Sequence, residues 1–238
     1  MPGVAANVGA IIAGTVIGLL FGKVIAERFR QIAFFAMGLC TLGIGVVMIV
    51  GGYTDLKAAT SLALLVPVLS LVVGAILGEA LRIEQRLGNL AAWLENRMPA
   101  RAGEAGPNSF VEGFMSASVL FCVGAMAILG SIQAGLGDSS ILYLKALMDG
   151  VAAIPLACAL GIGVGFSALP ILVLEGCVAL LSMSLGSFFT PPILASIDLV
   201  GGIMLLAIGF DLCGIKKLRV ANMLPALLIA ILLGWWLG

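Results

Sequence analysis

The sequence predicts an all-α polytopic membrane protein. It has about eight transmembrane helices, with inverted three-helix repeats (spans 1–3 and 6–8) flanking a central helix pair. Three observations predict it. Of 238 residues, 62% are hydrophobic and only 10% charged, with a mean hydropathy of +1.23; a soluble domain carries about 25% charged residues. Apolar runs of the ~20 residues needed to cross hydrocarbon recur along the whole chain. Finally, ten of the twelve basic residues fall in alternate loops.

The runs lie approximately at 4–22, 33–52, 60–81, 110–134, 142–162, 167–187, 192–213 and 218–238. Span one follows an N-terminus, MPGVAANVGA, that lacks a basic leader, so it reads as a retained helix and not a cleaved signal. Lys23, Arg28 and Arg30 come after span one. Arg82, Arg86, Arg97 and Arg101 come after span three, and Lys216, Lys217 and Arg219 after span seven. Only Lys57 and Lys145 lie elsewhere. Basic loops stay in the cytoplasm, so both termini are expected to be periplasmic and the span count even.

The longest loop, 82–108, contains RIEQRLGNLAAWLENRM. Ile83, Leu87, Leu90 and Leu94 recur at helical spacing with charges opposite and Trp93 near the seam. That pattern predicts an amphipathic helix at the cytoplasmic interface, followed by a flexible link, PARAGEAGPN. The chain as a whole, 1–238, reads as a single integral membrane domain.

A shift of 164 positions lays Gly22 on Gly186, Gly38 on Gly202, Leu42 on Leu206, Ile44 on Ile208 and Gly45 on Gly209. LVPVLSLVVGAILG then resembles MLPALLIAILLGWWLG, with a proline ahead of Gly74/Gly78 and of Gly234/Gly238. Two helices separate the copies, so the copies would be inverted, a recurrent plan of secondary transporters.

Composition excludes several function classes. The chain has no histidine, which removes the commonest general base and metal ligand. Cys40, Cys122, Cys158, Cys177 and Cys213 stand singly in apolar spans, as small packing residues. No GxxxxGK[ST] or GxSxG run occurs. We therefore expect no enzyme activity, no cofactor, no metal and no nucleic-acid partner. The expected partners are the lipid bilayer, a small solute or ion, and a second copy of the chain that the GxxxG pairs would permit.

Polar groups at bilayer depth are costly, so they face a cavity, another helix or a solute path. Asp149, Glu175 and Asp198 are carboxylates within spans. Lys145 and Asp149, four apart, share a helix face and suit an ion pair near the outer boundary. Lys145 could equally snorkel, with Asp149 as its neutralising partner. Glu175 has no base nearby in sequence and suits either a proton carrier or a protonated carboxyl bonded across helices. Asp198 follows Thr190, Pro191 and Pro192, where it would favour the first turns of a helix through the dipole. In span four, Ser116, Ser118, Cys122 and Gly124 offer small polar groups on one flank. Gly130, Ser131, Gln133, Gly135 and Gly137 mark its outer half as prone to break. Asn7 is a helix–helix hydrogen-bond donor first and a ligand second.

The segments GFMSASVLFCVGAMAILGSIQAGLGD, LKALMDG and LGEALRIEQRL resemble the signature segments of the bacterial domain-of-unknown-function 554 family of integral membrane proteins. The most specific piece is the run Phe121-Cys122-Val123-Gly124-Ala125-Met126, and the resemblance extends from Asn7 to the last span. It implies a multi-helix protein of the bacterial inner membrane, of a kind often called a transporter, with no established substrate. Glutamine near the position of Glu175 in such relatives argues against obligatory proton coupling there and favours Asp149. The leading expectation is a secondary transporter or permease for a small solute or ion, cation- or proton-coupled. The alternatives are an ion channel and a non-transporting membrane scaffold or subunit.

Overall fold

The structure, a computed structural model, describes residues 2–22, 27–96, 109–122, 125–185 and 188–237. Gly124, Gly186, Gly238, Lys23, Arg97, Arg101 and the PARAGEAGPN link lie outside them, as do the side chains of Arg30 and Leu94. Every regular element among the described residues is helical: α1 (Pro2–Gly22), α2 (Glu27–Ala59), α3 (Leu65–Leu81), α4 (Ile83–Asn96), α5 (Ser109–Cys122), α6 (Ala125–Gly135), α7 (Ser140–Leu160), α8 (Gly163–Phe166), α9 (Ala168–Leu185), α10 (Pro191–Leu212) and α11 (Pro225–Leu237), with a 3₁₀ turn at Val220–Met223. Among the described residues, six stretches are long and apolar enough to cross a membrane, and up to eight if each of two bent pairs is one span. Leu20, Val47, Ile76, Leu147, Val173 and Leu228 are between 63% and 72% exposed, as lipid-facing side chains must be. This is a multi-pass membrane protein.

The chain divides into two compact units. The first comprises 1–37, 85–122 and 126–184, and thus holds α1, α5, α7, α8 and nearly all of α4, α6 and α9. Its most extensive contact joins α1 to α7. Gly3 lies against Ser139 and Leu142, Gly14 against Gly150 and Ala153, and Gly18 against Ile154 and Ala157. A Cβ at Gly14 or Gly18 would overlap the carbonyl oxygen of Gly150 or Ile154 respectively, so only glycine permits this approach. The paired positions rise together along both helices, so α1 and α7 run parallel. Elsewhere in this unit, Gly163 of α8 fits under the Phe110 carbonyl, and Phe110 packs edge-on against Phe166 at 5.3 Å between ring centroids.

The second unit holds most of α2, α3, α10 and α11. Here Gly38 meets Gly209 and Cys213, Gly45 meets Gly202 and Leu206, and Gly52 meets Ala195 and Leu199. This order is antiparallel. Gly74 meets Ala226 and Gly78 meets Asn222, so α3 and α11 are antiparallel too. Gly234 of α11 lies against Ile193 and Ser196 near the start of α10.

Two differences from the sequence reading have clear physical causes. Span two is expected at 33–52, but α2 runs for 33 residues, about 50 Å at 1.5 Å per residue and longer than the hydrocarbon core. No proline interrupts its polar ends, so the helix continues past the apolar stretch. Span four is expected to break in its outer half at 130–137. Instead α5 and α6 bend by 66° between Cys122 and Met126, and Gly130, Ser131, Gln133 and Gly135 are helical. Those glycines serve packing: Gly130 meets Ile141 and Leu142, and Gly135 meets Ala179 and Ser182.

The expected interfacial helix is α4, which leaves α3 at 53°. Arg82, at φ 51°, makes the turn in a left-handed conformation uncommon for a non-glycine residue. Ile83 and Leu87 are half-buried, whereas Leu90 and Trp93 are exposed.

Candidate functional site

Small residues decide where the polar groups of the first unit can meet. On α1, Gly3, Asn7, Gly14 and Gly18 share the face that packs on α7, so Asn7 is the one polar side chain in a glycine seam. It is fully buried. On α7, Lys145 and Asp149 lie one turn apart and form a buried ion pair. Lys145 is only 5% exposed, so it points into the unit and does not snorkel to the outer surface. α9 brings Glu175, which is fully buried.

The four side chains converge. The Asn7 amide donates from Nδ2 to Oε1 of Glu175 at 2.7 Å. Lys145 Nζ stands 3.7 Å from the same Glu175 oxygen and donates to the Phe121 carbonyl at 3.0 Å. Phe121 is the penultimate residue of α5, and the last carbonyls of a helix are the ones open to side-chain donors. The break after Cys122 therefore supplies a ligand as well as a bend. Cys122 lies within electrostatic range of Lys145, Glu175 and Asp149.

The remaining candidates are placed differently. Ser118, one turn before Phe121, is buried, and its hydroxyl has no hydrogen-bond partner among the described residues. Ser116 is only half-buried. Positions two apart on a continuous helix diverge by about 200°, so the two serines occupy opposite flanks and not one. Gln133 is half-buried in α6, and its backbone carbonyl accepts from the Asp138 N–H at 2.8 Å. Asp198 lies in α10, in the second unit. That helix begins at Pro191, so Asp198 sits two turns in, past the reach of the dipole at the first turn.

Two contributors escaped the sequence reading. The Phe121 carbonyl carries no side-chain signature. Asp138 accepts from both the hydroxyl (2.6 Å) and the N–H (2.9 Å) of Ser140 at the start of α7. The Ser140 hydroxyl, then its N–H, hold the Asp138 carboxyl below its ordinary range. The run Asp138-Ser139-Ser140 ahead of an apolar stretch is the signal that could have found it.

The sequence model of the family described as "Protein of unknown function (DUF554)" matches residues 2–235. The chain belongs to this family. DUF554 relatives include "Uncharacterized protein YqgA" of Escherichia coli (strain K12), 34% identical over 94% of this chain and 92% of its own length. A second is "Uncharacterized membrane protein YdfK" of Bacillus subtilis (strain 168), 31% identical over 96% of this chain and 93% of its own. No solved structure matches this DUF554 chain.

Proposed function

We propose that the protein is a secondary transporter or permease for a small solute or ion in the bacterial inner membrane, coupled to a cation or proton. One observation carries this reading. In an apolar helical unit, two carboxylates, a lysine and an asparagine are buried together beside the carbonyl end of a broken helix. Ionisable groups at membrane depth mark solute or proton paths, and discontinuous helices supply the backbone ligands of transporter sites. Nothing in this chemistry calls for catalysis, and the protein acts as a carrier and not an enzyme.

The inverted repeat belongs to the same proposal. The shift of 164 exchanges Gly38 with Gly202 and Gly45 with Gly209, so it turns the Gly38–Gly209 contact into the Gly45–Gly202 contact. An antiparallel pair related by a two-fold axis would behave so. Each compact unit also draws helices from both copies, with α1 and α9 in one and α2, α3, α10 and α11 in the other. The clustering of basic residues supports cytoplasmic α3–α4 and α10–α11 connections and periplasmic termini.

The test is counterflow in proteoliposomes after a thermal-stability screen of ions, amino acids and organic acids. Saturable counterflow of a stabilising solute, reduced at least about tenfold in Asp149→Asn, is expected. Non-saturating flux would identify a channel. A well-folded protein that moves no solute, with Asp149→Asn indistinguishable from wild type, would leave the scaffold reading.

A further inference from the structure

We infer that Glu175 Oε2 and Asn7 Oδ1 form the core of a binding site for a monovalent alkali cation, with sodium as the reference ion and the proton as its competitor. The inference rests on the transport reading of this cluster and names its coupling ion.

The hydrogen bonds around Glu175 point to it. An ammonium has three donors. Lys145 directs its own at Asp149 and the Phe121 carbonyl, and faces Glu175 Oε1 at 3.7 Å. Asn7 Nδ2 is also committed to Glu175 Oε1. One carboxylate oxygen of Glu175 thus faces two donors, while Oε2 has no partner among the described residues, and neither has Asn7 Oδ1. Both atoms belong to fully buried side chains. Nearly all buried polar atoms in folded proteins are satisfied, so two orphans in one cluster call for a ligand.

The chemistry of the orphans selects its kind. Both are oxygen acceptors. The one cationic donor of the cluster, Lys145, is turned to Asp149, the Phe121 carbonyl and Glu175, so an organic acid or phosphate finds no positive charge left to pair with here. Charge counting agrees. The groups that face Glu175 are Asn7 from α1, Cys122 from α5, and Lys145 and Asp149 from α7. With both carboxylates and the lysine ionised, the cluster carries one excess negative charge, which is costly at membrane depth. A water molecule could bond both orphan oxygens but would leave that charge. A hard monovalent cation answers both needs, since oxygen ligands suit such ions. A proton bridging Glu175 to Asn7 would neutralise the same charge, so the two must exclude one another.

The test is the unfolding temperature of the purified full-length protein in detergent, in NaCl and in choline chloride at equal ionic strength. A ligand that binds only the folded state raises this temperature by mass action. Sodium should raise it saturably, by about 5 °C or more near pH 8.5, and less near pH 5.5, where the proton competes. Glu175→Gln should abolish the response. Asn7→Ala keeps the carboxylate but removes an oxygen, and should weaken sodium binding at least about tenfold, which keeps the test open if Glu175→Gln fails to fold. Equal unfolding temperatures of the wild type in NaCl and choline chloride at pH 8.5 would overturn the site. So would a sodium response unchanged in Asn7→Ala. Sodium binding by a protein that transports nothing would refute the transport reading alone. Solute transport with no sodium effect would refute the site alone.

Discussion

Asn7 and Glu175 are 168 positions apart in the chain, yet their side chains meet at 2.7 Å inside the first compact unit. The contact ties α1 to α9 and brings a neutral polar amide to a carboxylate whose one cationic neighbour among the described residues is Lys145. It also orients the Asn7 amide, because Nδ2 is the atom that meets the carboxylate, and Oδ1 is left without a hydrogen-bond partner among the described residues.

Lys145 is the single positive charge of this cluster, so its removal should cost more than the removal of either acid. Lys145→Met leaves Asp149 and Glu175 both negative and buried. Breaking a buried pair in this way destabilises by about 3–5 kcal/mol. We expect Lys145→Met to lower the unfolding temperature strongly, and the triple variant Lys145→Met/Asp149→Asn/Glu175→Gln to recover most of the loss. Thermal unfolding of the purified variants checks both. Additive losses in the triple variant would show that the three groups are not coupled.

The α1–α7 seam yields a contrast within one helix. A Cβ at Gly14 would overlap the Gly150 carbonyl, whereas one at Gly9 would meet nothing within 4 Å. Gly14→Ala should destabilise by about 2 kcal/mol or more, since backbone must shift. Gly9→Ala should be neutral or stabilising by up to about 1 kcal/mol through helix propensity. Unfolding midpoints of the two variants, measured side by side, decide it. Equal effects would mean that α1 does not pack on α7 through this face.

How much of this was legible in the sequence depends on the kind of residue. Long apolar runs bounded by polar residues gave α1, α7, α9 and α10 nearly to their ends, because hydrocarbon thickness imposes the length. The Lys145–Asp149 pair is local and follows from helical spacing. The Asn7–Glu175 contact is not local, and no periodicity links residues on different helices. The bend was misplaced because glycine signals both a break and a close approach. Gly130 and Gly135 are there for packing against α7 and α9, while the stretch between Cys122 and Met126 has a single glycine to mark the bend. The Phe121 carbonyl is backbone, and becomes a ligand only because the helix ends there.

In the second unit, Asn222 joins three elements through one side chain. Its Nδ2 donates to Glu79 Oε2 at 2.8 Å, and its Oδ1 accepts the Glu84 N–H at 2.7 Å, capping the start of α4. Arg219 adds an ion pair to Glu79 at 2.6 Å, but both of its partners are largely exposed. Asn222→Ala should therefore cost about 1–2 kcal/mol, and Arg219→Gln no more than about 1 kcal/mol. Hydrogen exchange should show faster exchange of the Glu84 amide in Asn222→Ala and little change in Arg219→Gln. The reverse order would place the weight of this clasp on the ion pair.

Asp138 gives a pH dependence with a definite sign. Its carboxyl is held below the ordinary value by the Ser140 hydroxyl and N–H, so in the window between the folded and unfolded values the unfolded chain binds more protons. Stability then rises with pH through that window. The contribution is fully present above the ordinary aspartate value of about 3.9 and is lost as pH falls through the depressed folded value. The carboxylate is solvent-exposed, so the effect is local to the start of α7. Amide exchange of Ser140 should accelerate, relative to its intrinsic rate, as pH falls through this acid range. In Ser140→Ala the hydroxyl partner is gone, and the acid transition should move towards the ordinary aspartate value. An unmoved transition in that variant would assign the depression to the backbone N–H alone.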